Sequence, residues 1–162
     1  MNVSLAYGRG RLAVNVPDER TTIIEPSYVD GLPDEATAIR HALKQPTDSQ
    51  PLRTLVSSEQ TVAISVCDIT RPMPSSTLLP VLLEELSHVP AKQISILIAT
   101  GTHRECTRDE LVEMLGESIV ENCQIINHNA FDEASLVHLG KVEPDVPIWL
   151  NRHWVEADIR IT

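Results

Sequence analysis

The stretches Thr61-Val-Ala-Ile-Ser-Val-Cys67 and Gln93-Ile-Ser-Ile-Leu-Ile-Ala99 decide the fold. Both are short runs of apolar, largely β-branched residues, which is the pattern of strands buried on both faces of a sheet. Between them, Ser75–Val89 carries leucines at helical spacing on one face, despite Pro80. A strand, a helix and a second strand of these lengths predict a parallel strand pair joined by a right-handed crossover.

Segments on either side extend the same architecture. Val3–Tyr7 and Arg11–Val16 flank Gly8-Arg9-Gly10 and predict a β-hairpin. We predict a single α/β domain over residues 1–162, Rossmann-like, with a mostly parallel sheet flanked by helices and an N-terminal β-hairpin. The other predicted elements are helices at Asp34–Leu43, Thr107–Leu115 (with a capping box of Thr107 and Glu110, and ended by Gly116) and Asp132–Leu139, and strands at Thr21–Ile24, Cys123–Asn127, Pro147–Leu150 and Ile159–Ile161.

The composition restricts the class of protein. A chain of 162 residues with 42% hydrophobic residues can bury one substantial core. A formal net charge of −10 and an aromatic content of 3% argue against a nucleic-acid partner, because anionic phosphates are repelled and no stacking platform is evident. No segment approaches the roughly 20 apolar residues of a membrane span. We therefore expect a cytoplasmic protein with neither a nucleic-acid nor a membrane partner.

The three cysteines are widely spaced and lack a CxxC pair, so the sequence indicates neither a disulfide framework nor a zinc site. Cys67 lies inside a predicted strand and is expected to be a small core residue. Cys106 lies close to a helix start and is expected to be exposed, which alone does not make it a nucleophile.

A polar loop follows each central strand, Asp68–Pro72 after the first and Thr100–Arg104 after the second. Ligands of open parallel sheets bind beyond the carboxyl ends of the strands, so both loops should line one crevice and bring Arg71 close to His103. Arg71 offers a planar fork of donors suited to a carboxylate or phosphate. His103 suits proton transfer near neutral pH. Thr100–Thr102 presents backbone N–H groups and hydroxyls to a small anion.

Each of these residues also has a structural interpretation. Asp68 is typical of a turn or a cap, Arg71 and Arg104 of surface ion pairs, and an isolated histidine of a structural or exposed residue. Their joint occurrence at two neighbouring strand ends favours a functional site. His128 follows the next strand and is a further candidate. The remaining histidines are interpreted as structural: His41, His88, His138 and His153.

Taken together, these motifs resemble those of the nickel-dependent lactate racemase family. That resemblance implies a two-domain enzyme with its active site between the domains. Members racemise or epimerise small 2-hydroxy acids with a nickel pincer nucleotide, passing a hydride from the substrate carbon to the cofactor and back. The resemblance rests on Val66–Pro72 with Pro74, Ala99–Arg104 with Glu110, Asn127-His128, and Val155–Asp158.

The resemblance also implies roles for individual residues. Arg71 would bind the substrate carboxylate, and His103 would be one of two acid/base histidines that act on the hydroxyl. Asp68 and Thr70 would shape the loop that carries Arg71. The floor of the cleft, where the cofactor would be contacted, would consist of Thr100, Gly101 and Thr102.

The chain departs from the family pattern in one respect. In the family, the lysine that bonds the pincer ring, the nickel-ligating histidine and the second acid/base histidine lie in and around a Gly-Gly-x-Lys segment downstream of the Glu-Ala-Asp run. No such segment occurs here. We therefore expect an N-terminal domain without metal ligands, natural or truncated, that is inactive alone and is completed by an absent C-terminal domain.

Two alternatives remain open on the sequence. The chain could be a module that binds a small anion, such as a hydroxy acid, without chemistry. It could also be a subunit completed by a separate chain that carries the missing lysine and histidine. A hydrolase is disfavoured, because the sequence has neither a nucleophile elbow nor a cluster of metal ligands.

Overall fold

A computed structural model describes all 162 residues and confirms an α/β fold with a four-stranded parallel sheet flanked by helices. None of its helices is long and apolar enough to cross a membrane. The strands are β1 (Asn2–Tyr7), β2 (Gly10–Asn15), β3 (Val62–Cys67), β4 (Ile94–Ala99), β5 (Gln124–Asn127), β6 (Leu136–Val142), β7 (Val146–Asn151) and β8 (Ile159–Ile161). The α-helices are α1 (Glu35–Lys44), α2 (Leu52–Leu55), α3 (Ser75–Glu85), α4 (Arg108–Leu115), α5 (Glu117–Asn122) and α6 (Arg152–Glu156).

Residues 1–32 and 33–162 form separate compact units, and a single domain over residues 1–162 stays a prediction. In the first unit, β1 and β2 pair antiparallel, which confirms the N-terminal hairpin. Its turn needs a positive φ, which Gly8 supplies at +56°. The strand predicted at Thr21–Ile24 is wrong: the segment pairs with no other strand, and Ile24 is 90% exposed. A short apolar run forms a strand only where a partner edge is available.

The sheet has the order β5-β4-β3-β8, and every neighbouring pair is parallel. β3 and β4 pair in register over their full length, from Val62 opposite Ile94 to Cys67 opposite Ala99. Because both strands end at the same level, the two polar loops that follow them start side by side. This register places the site that is described below.

Alternate residues of β3 and β4 point into the core, where Ile64, Ile96 and Ile98 are almost completely buried. Helix α3 packs on this face through Leu79 and further leucines. The helix ends at Glu85 rather than Val89 as predicted, and residues 86–89 form turns in which the Ser87 N–H donates to Glu84 O and the Val89 N–H to Leu86 O.

The helix predicted at Asp132–Leu139 is wrong. Only a single 3₁₀ turn forms, at Glu133–Ser135, and it is followed by β6, which pairs antiparallel with β7. Residues 136–142 form a strand because β7 is available to pair with them. This pairing outweighs the helical spacing of the few apolar residues in the segment. The other predicted helices and strands are confirmed with small shifts at their ends, and the capping box of Thr107 and Glu110 is present. Helices α2, α5 and α6 were not predicted.

We expect Leu79→Ala to lower the free energy of unfolding by about 3 kcal/mol, because a fully buried leucine leaves a cavity when it is truncated. Urea denaturation followed by circular dichroism measures the loss. Leu83→Ala in the same helix is the matched control and should cost less, because Leu83 is only half-buried. Equal losses in the two variants would contradict the packing described here.

Candidate functional site

The loops that follow β3 and β4 meet, as the sequence predicted, and their closest contact joins Asp68 to His103. The Asp68 Oδ2 atom lies 2.5 Å from His103 Nδ1. The two side chains differ in exposure, with 6% for Asp68 and 52% for His103. A buried carboxylate therefore holds an imidazole whose other edge faces solvent.

Asp68 is held as a carboxylate by the hydrogen bonds that it accepts. Thr70 donates its hydroxyl to Asp68 Oδ1 at 2.6 Å and its backbone N–H to the same oxygen at 3.2 Å. The Thr70 hydroxyl, and after it His103, lower the pKa of Asp68, and they outweigh the opposing effect of burial. An ionised Asp68 can only accept, so His103 carries its proton on Nδ1 and leaves Nε2 as the basic nitrogen.

Arg71 lies in the same loop and has no ion-pair partner. Its backbone N–H donates to Asp68 O at 3.1 Å, which closes the turn. Other arginines are paired with glutamates at Arg40–Glu84, Arg104–Glu110 and Arg152–Glu156. In a chain of net charge −10, an exposed and unpaired guanidinium is available to an external anion. It lines an open pocket of about 280 Å³ together with Cys67, Asp68, Ala99, Thr100, Gly101, Thr102 and His103.

The floor of this pocket consists of Thr100, Gly101 and Thr102, which differ in exposure. Gly101 has a φ of +60°, and an added Cβ there would meet no atom within 4 Å, so the space above it is open. Thr102 is exposed. Thr100 is buried, and its hydroxyl donates to the carbonyl of His128, so that hydroxyl serves the loop rather than a ligand.

Both cysteine predictions are wrong. Cys67 is exposed and lines the pocket, because it is the last residue of β3, where nothing covers its face of the sheet. Cys106 is only 6% exposed and packs in the core, because the chain turns inward there before α4 begins. The motif around Asp68 did not reveal which side of the strand end is covered.

His128 does not join His103. Its ring lines a different pocket, of about 410 Å³, which also contains Trp149 and Trp154. Its Nδ1 atom lies 3.4 Å from the side-chain Nδ2 of Asn151. The structural interpretation of His88 is supported by a 2.7 Å hydrogen bond from its Nε2 to the carbonyl of Val56.

Arg104 follows the structural interpretation as well. Both of its terminal nitrogens contact Glu110, at 2.7 and 2.6 Å, and Glu110 also accepts the backbone N–H of Thr107 at the start of α4. The Arg104 guanidinium, together with this backbone bond, lowers the pKa of Glu110 to about 2. Residues 1–162 contain no group of three or more histidine, cysteine, aspartate or glutamate side chains that could hold a metal ion.

The arrangement can bind an anion and transfer a proton within one pocket. An unpaired guanidinium suits a carboxylate, and an imidazole with a basic Nε2 suits a neighbouring hydroxyl. The sequence missed two features of the site: that Asp68 is the partner of His103, and that Asn127 contacts the loop beyond His103. The motif Asn127-His128 pointed to this region but not to which of its atoms take part.

Comparison with known proteins identifies the family to which the chain is related. The family model for the lactate racemase N-terminal domain matches residues 7–162. The lactate racemases of Thermoanaerobacterium thermosaccharolyticum and Lactiplantibacillus plantarum are each 32% identical to the chain over 165 aligned positions, which cover 99% of it. The chain spans only 38% and 39% of the lengths of these two relatives.

Solved structures agree. The structure of the lactate racemase apoprotein from T. thermosaccharolyticum superposes with a TM-score of 0.80 at 32% identity, over 99% of this chain and 38% of that one. A protein from Thermotoga maritima is similar in fold alone, with a TM-score of 0.62 at 22% identity, over 82% of this chain and 34% of that one. From the family match and the two relatives, we conclude that the chain belongs to the lactate racemase N-terminal domain family.

Proposed function

We propose that this chain supplies the substrate-binding part of an isomerase that racemises or epimerises a small 2-hydroxy acid. The observation that carries the proposal is the unpaired guanidinium of Arg71 in one pocket with the Asp68–His103 pair. A 2-hydroxy acid carries a carboxylate and a hydroxyl on adjacent atoms, which matches a cation beside a base. Membership in a family whose named relatives are lactate racemases supports the same substrate class.

Arg71 would bind the substrate carboxylate through two parallel N–H···O bonds, which fix the orientation of the acid as well as its position. His103 would then take the hydroxyl proton on Nε2 when the substrate is oxidised and return it afterwards. Asp68 stabilises the imidazolium that forms, and its hydrogen bond to Nδ1 keeps the ring in the tautomer that the step needs. Thr70 keeps Asp68 charged and in place.

The cofactor that the resemblance implies is a nickel pincer nucleotide, which supplies a hydride acceptor when it is bound. The open space above Gly101 and the exposed side chain of Thr102 leave room for a bound group at this floor. In this proposal the chain contributes a wall of the pocket in which the cofactor would lie. The lysine and the nickel-ligating histidine would come from elsewhere in the assembly.

Inversion at one carbon needs a base for each of the two enantiomers, and the pocket holds only His103. We therefore propose that a second base, and the cofactor with it, come from a further domain of a longer protein or from a partner chain. The length of the relatives supports this, because the chain spans 38–39% of each. The isolated chain is then expected to bind a 2-hydroxy acid weakly and to be inactive.

The role of Arg71 is tested in the complete enzyme by following the conversion of L-lactate to D-lactate. We expect Arg71→Ala to lower kcat/KM by at least about a hundred-fold, since the charge that orients the carboxylate is lost. Arg71→Lys should recover only part of it, because an ammonium cannot make the paired contact. Arg53→Ala is the control and should leave turnover unchanged, because Arg53 does not line the pocket and its guanidinium contacts Ser87 Oγ at 3.4 Å. Near-normal turnover in Arg71→Ala would refute the assignment.

The role of His103 needs its own test, because loss of a base lowers turnover whereas loss of a carboxylate-binding residue also weakens substrate binding. We expect His103→Gln to abolish lactate interconversion in the complete enzyme while lactate binding, measured by calorimetry, changes little. Thermal unfolding serves as the control and should be close to that of the wild type, because the side chain is half exposed. Retained turnover would show that another group moves the hydroxyl proton. If the wild-type chain binds lactate but shows no turnover, alone or with its completing domain or partner chain, the alternative of a module that only binds a small anion would be favoured.

The charge on Asp68 predicts a pH dependence of stability. The pKa of Asp68 is lowered in the folded chain from its ordinary 3.8, so ionised Asp68 stabilises the fold above that value and loses this effect as the pH falls through the folded pKa. Urea denaturation of the wild type and of Asp68→Asn at several pH values measures the effect. The advantage of the wild type should shrink as the pH falls below about 4. A difference that grows toward acid would contradict the assignment.

A further inference from the structure

We propose that Asn127 is a positioning residue for His103: its carboxamide holds the far end of the loop that carries this histidine. The inference rests on the proposed function, in which His103 is the base for the substrate hydroxyl. Asn127 is the last residue of β5 and is half-buried. It touches neither the Arg71 pocket nor the imidazole, so any effect on the proton-transfer step must pass through the loop.

The contact is a pair of hydrogen bonds to a single residue. Cys106 donates its backbone N–H to Asn127 Oδ1 at 3.0 Å, and Asn127 Nδ2 donates to the carbonyl of Cys106 at 3.2 Å. The orientation of the amide is unambiguous, because the N–H can only donate and the carbonyl can only accept. The side chain thus pairs with the main chain as a neighbouring strand would.

The near end of the loop is held from the same place. Thr100 donates its hydroxyl to the carbonyl of His128, and the backbone N–H of His128 donates to the carbonyl of Ile98 at 3.1 Å. Asn127 and His128 therefore hold both ends of the segment 100–106 from the end of β5. His128 thus contributes to the position of this loop through its backbone rather than through its ring.

Hydrogen bonds matter most for the middle of this segment, because only its two end residues are buried. Residues 101–105 are all exposed, and only Thr100 and Cys106 at the two ends are buried. The Arg104–Glu110 pair also ties the segment to α4, but Arg104 is 67% exposed there, and exposed ion pairs hold geometry weakly. The Asn127 pair joins a half-buried side chain to a buried peptide, where water competes less.

The test reads the position of the proton on the His103 ring. The ¹⁵N chemical shifts of the His103 ring nitrogens show which of the two carries the proton. The wild-type chain should carry it on Nδ1, facing Asp68, and Asp68→Ala should move it to Nε2. His103→Gln identifies the signals.

Asn127→Ala removes both hydrogen bonds to Cys106. We expect the fraction of Nδ1-protonated His103 to fall by at least about two-fold, because a loop that is held less firmly at Cys106 no longer fixes the ring against Asp68. Asn127→Asp keeps the acceptor for the Cys106 N–H but sets an oxygen against its carbonyl, and it should reduce the same fraction. It also serves as the milder variant if Asn127→Ala does not fold.

Asn122→Ala is the matched control. It removes a 2.8 Å bond from an asparagine side chain to the carbonyl of Ser118, within α5 and away from the loop. Its His103 shifts should match the wild type. If either folded Asn127 variant keeps the wild-type shifts at His103, the inference is overturned; a lowered Tm would then show that Asn127 is only structural.

This readout also separates the inference from the proposed function. A wild-type chain that lacks the Nδ1 proton would refute the Asp68–His103 pair itself, whatever Asn127 does. In the complete enzyme, Asn127→Ala should lower kcat by about ten-fold or more with little change in KM, because Arg71 lies on the other loop. A change confined to KM would contradict a role exerted through His103.

Discussion

The in-register pairing of β3 with β4 is the constraint on which the site depends. It sets Cys67 opposite Ala99, so that Asp68 and the Thr100–Arg104 loop leave the sheet at the same level. A one-residue slip of one strand would exchange the faces on which its side chains lie, and it would also separate Asp68 from His103. The core isoleucines that fix the register of β3 and β4 therefore also bring the Asp68 carboxylate to the His103 imidazole.

The two paired side chains of the pocket differ in burial and therefore in role. Asp68 is held from below by Thr70 and stays charged, while His103 is open to a ligand on its other edge. Arg71 remains unpaired although the chain has a large excess of carboxylates. An arginine left without a partner in an acidic protein, beside an imidazole of fixed tautomer, suits an anionic substrate with an ionisable hydroxyl better than a structural ion pair.

Much of this was predictable from particular residues. The β-branched runs predicted the parallel pair, and the loops after them predicted that Arg71 and His103 lie at one edge of the sheet. The errors arose where the outcome depends on distant neighbours. Cys67 and Cys106 exchanged their expected exposure because burial at a strand end depends on what covers it, and the segment 132–139 became a strand because a partner strand was available. Asn127 could not be assigned, since its role depends on a peptide brought near only by the fold.

The central claim is that this pocket binds a 2-hydroxy acid by its carboxylate, with its hydroxyl at His103. A crystal structure of the complete enzyme with bound lactate tests it most directly. The expected result is a carboxylate in paired contact with the Arg71 guanidinium and a hydroxyl within hydrogen-bond distance of His103 Nε2. Lactate bound elsewhere, for example in the pocket of His128 and the two tryptophans, would contradict it.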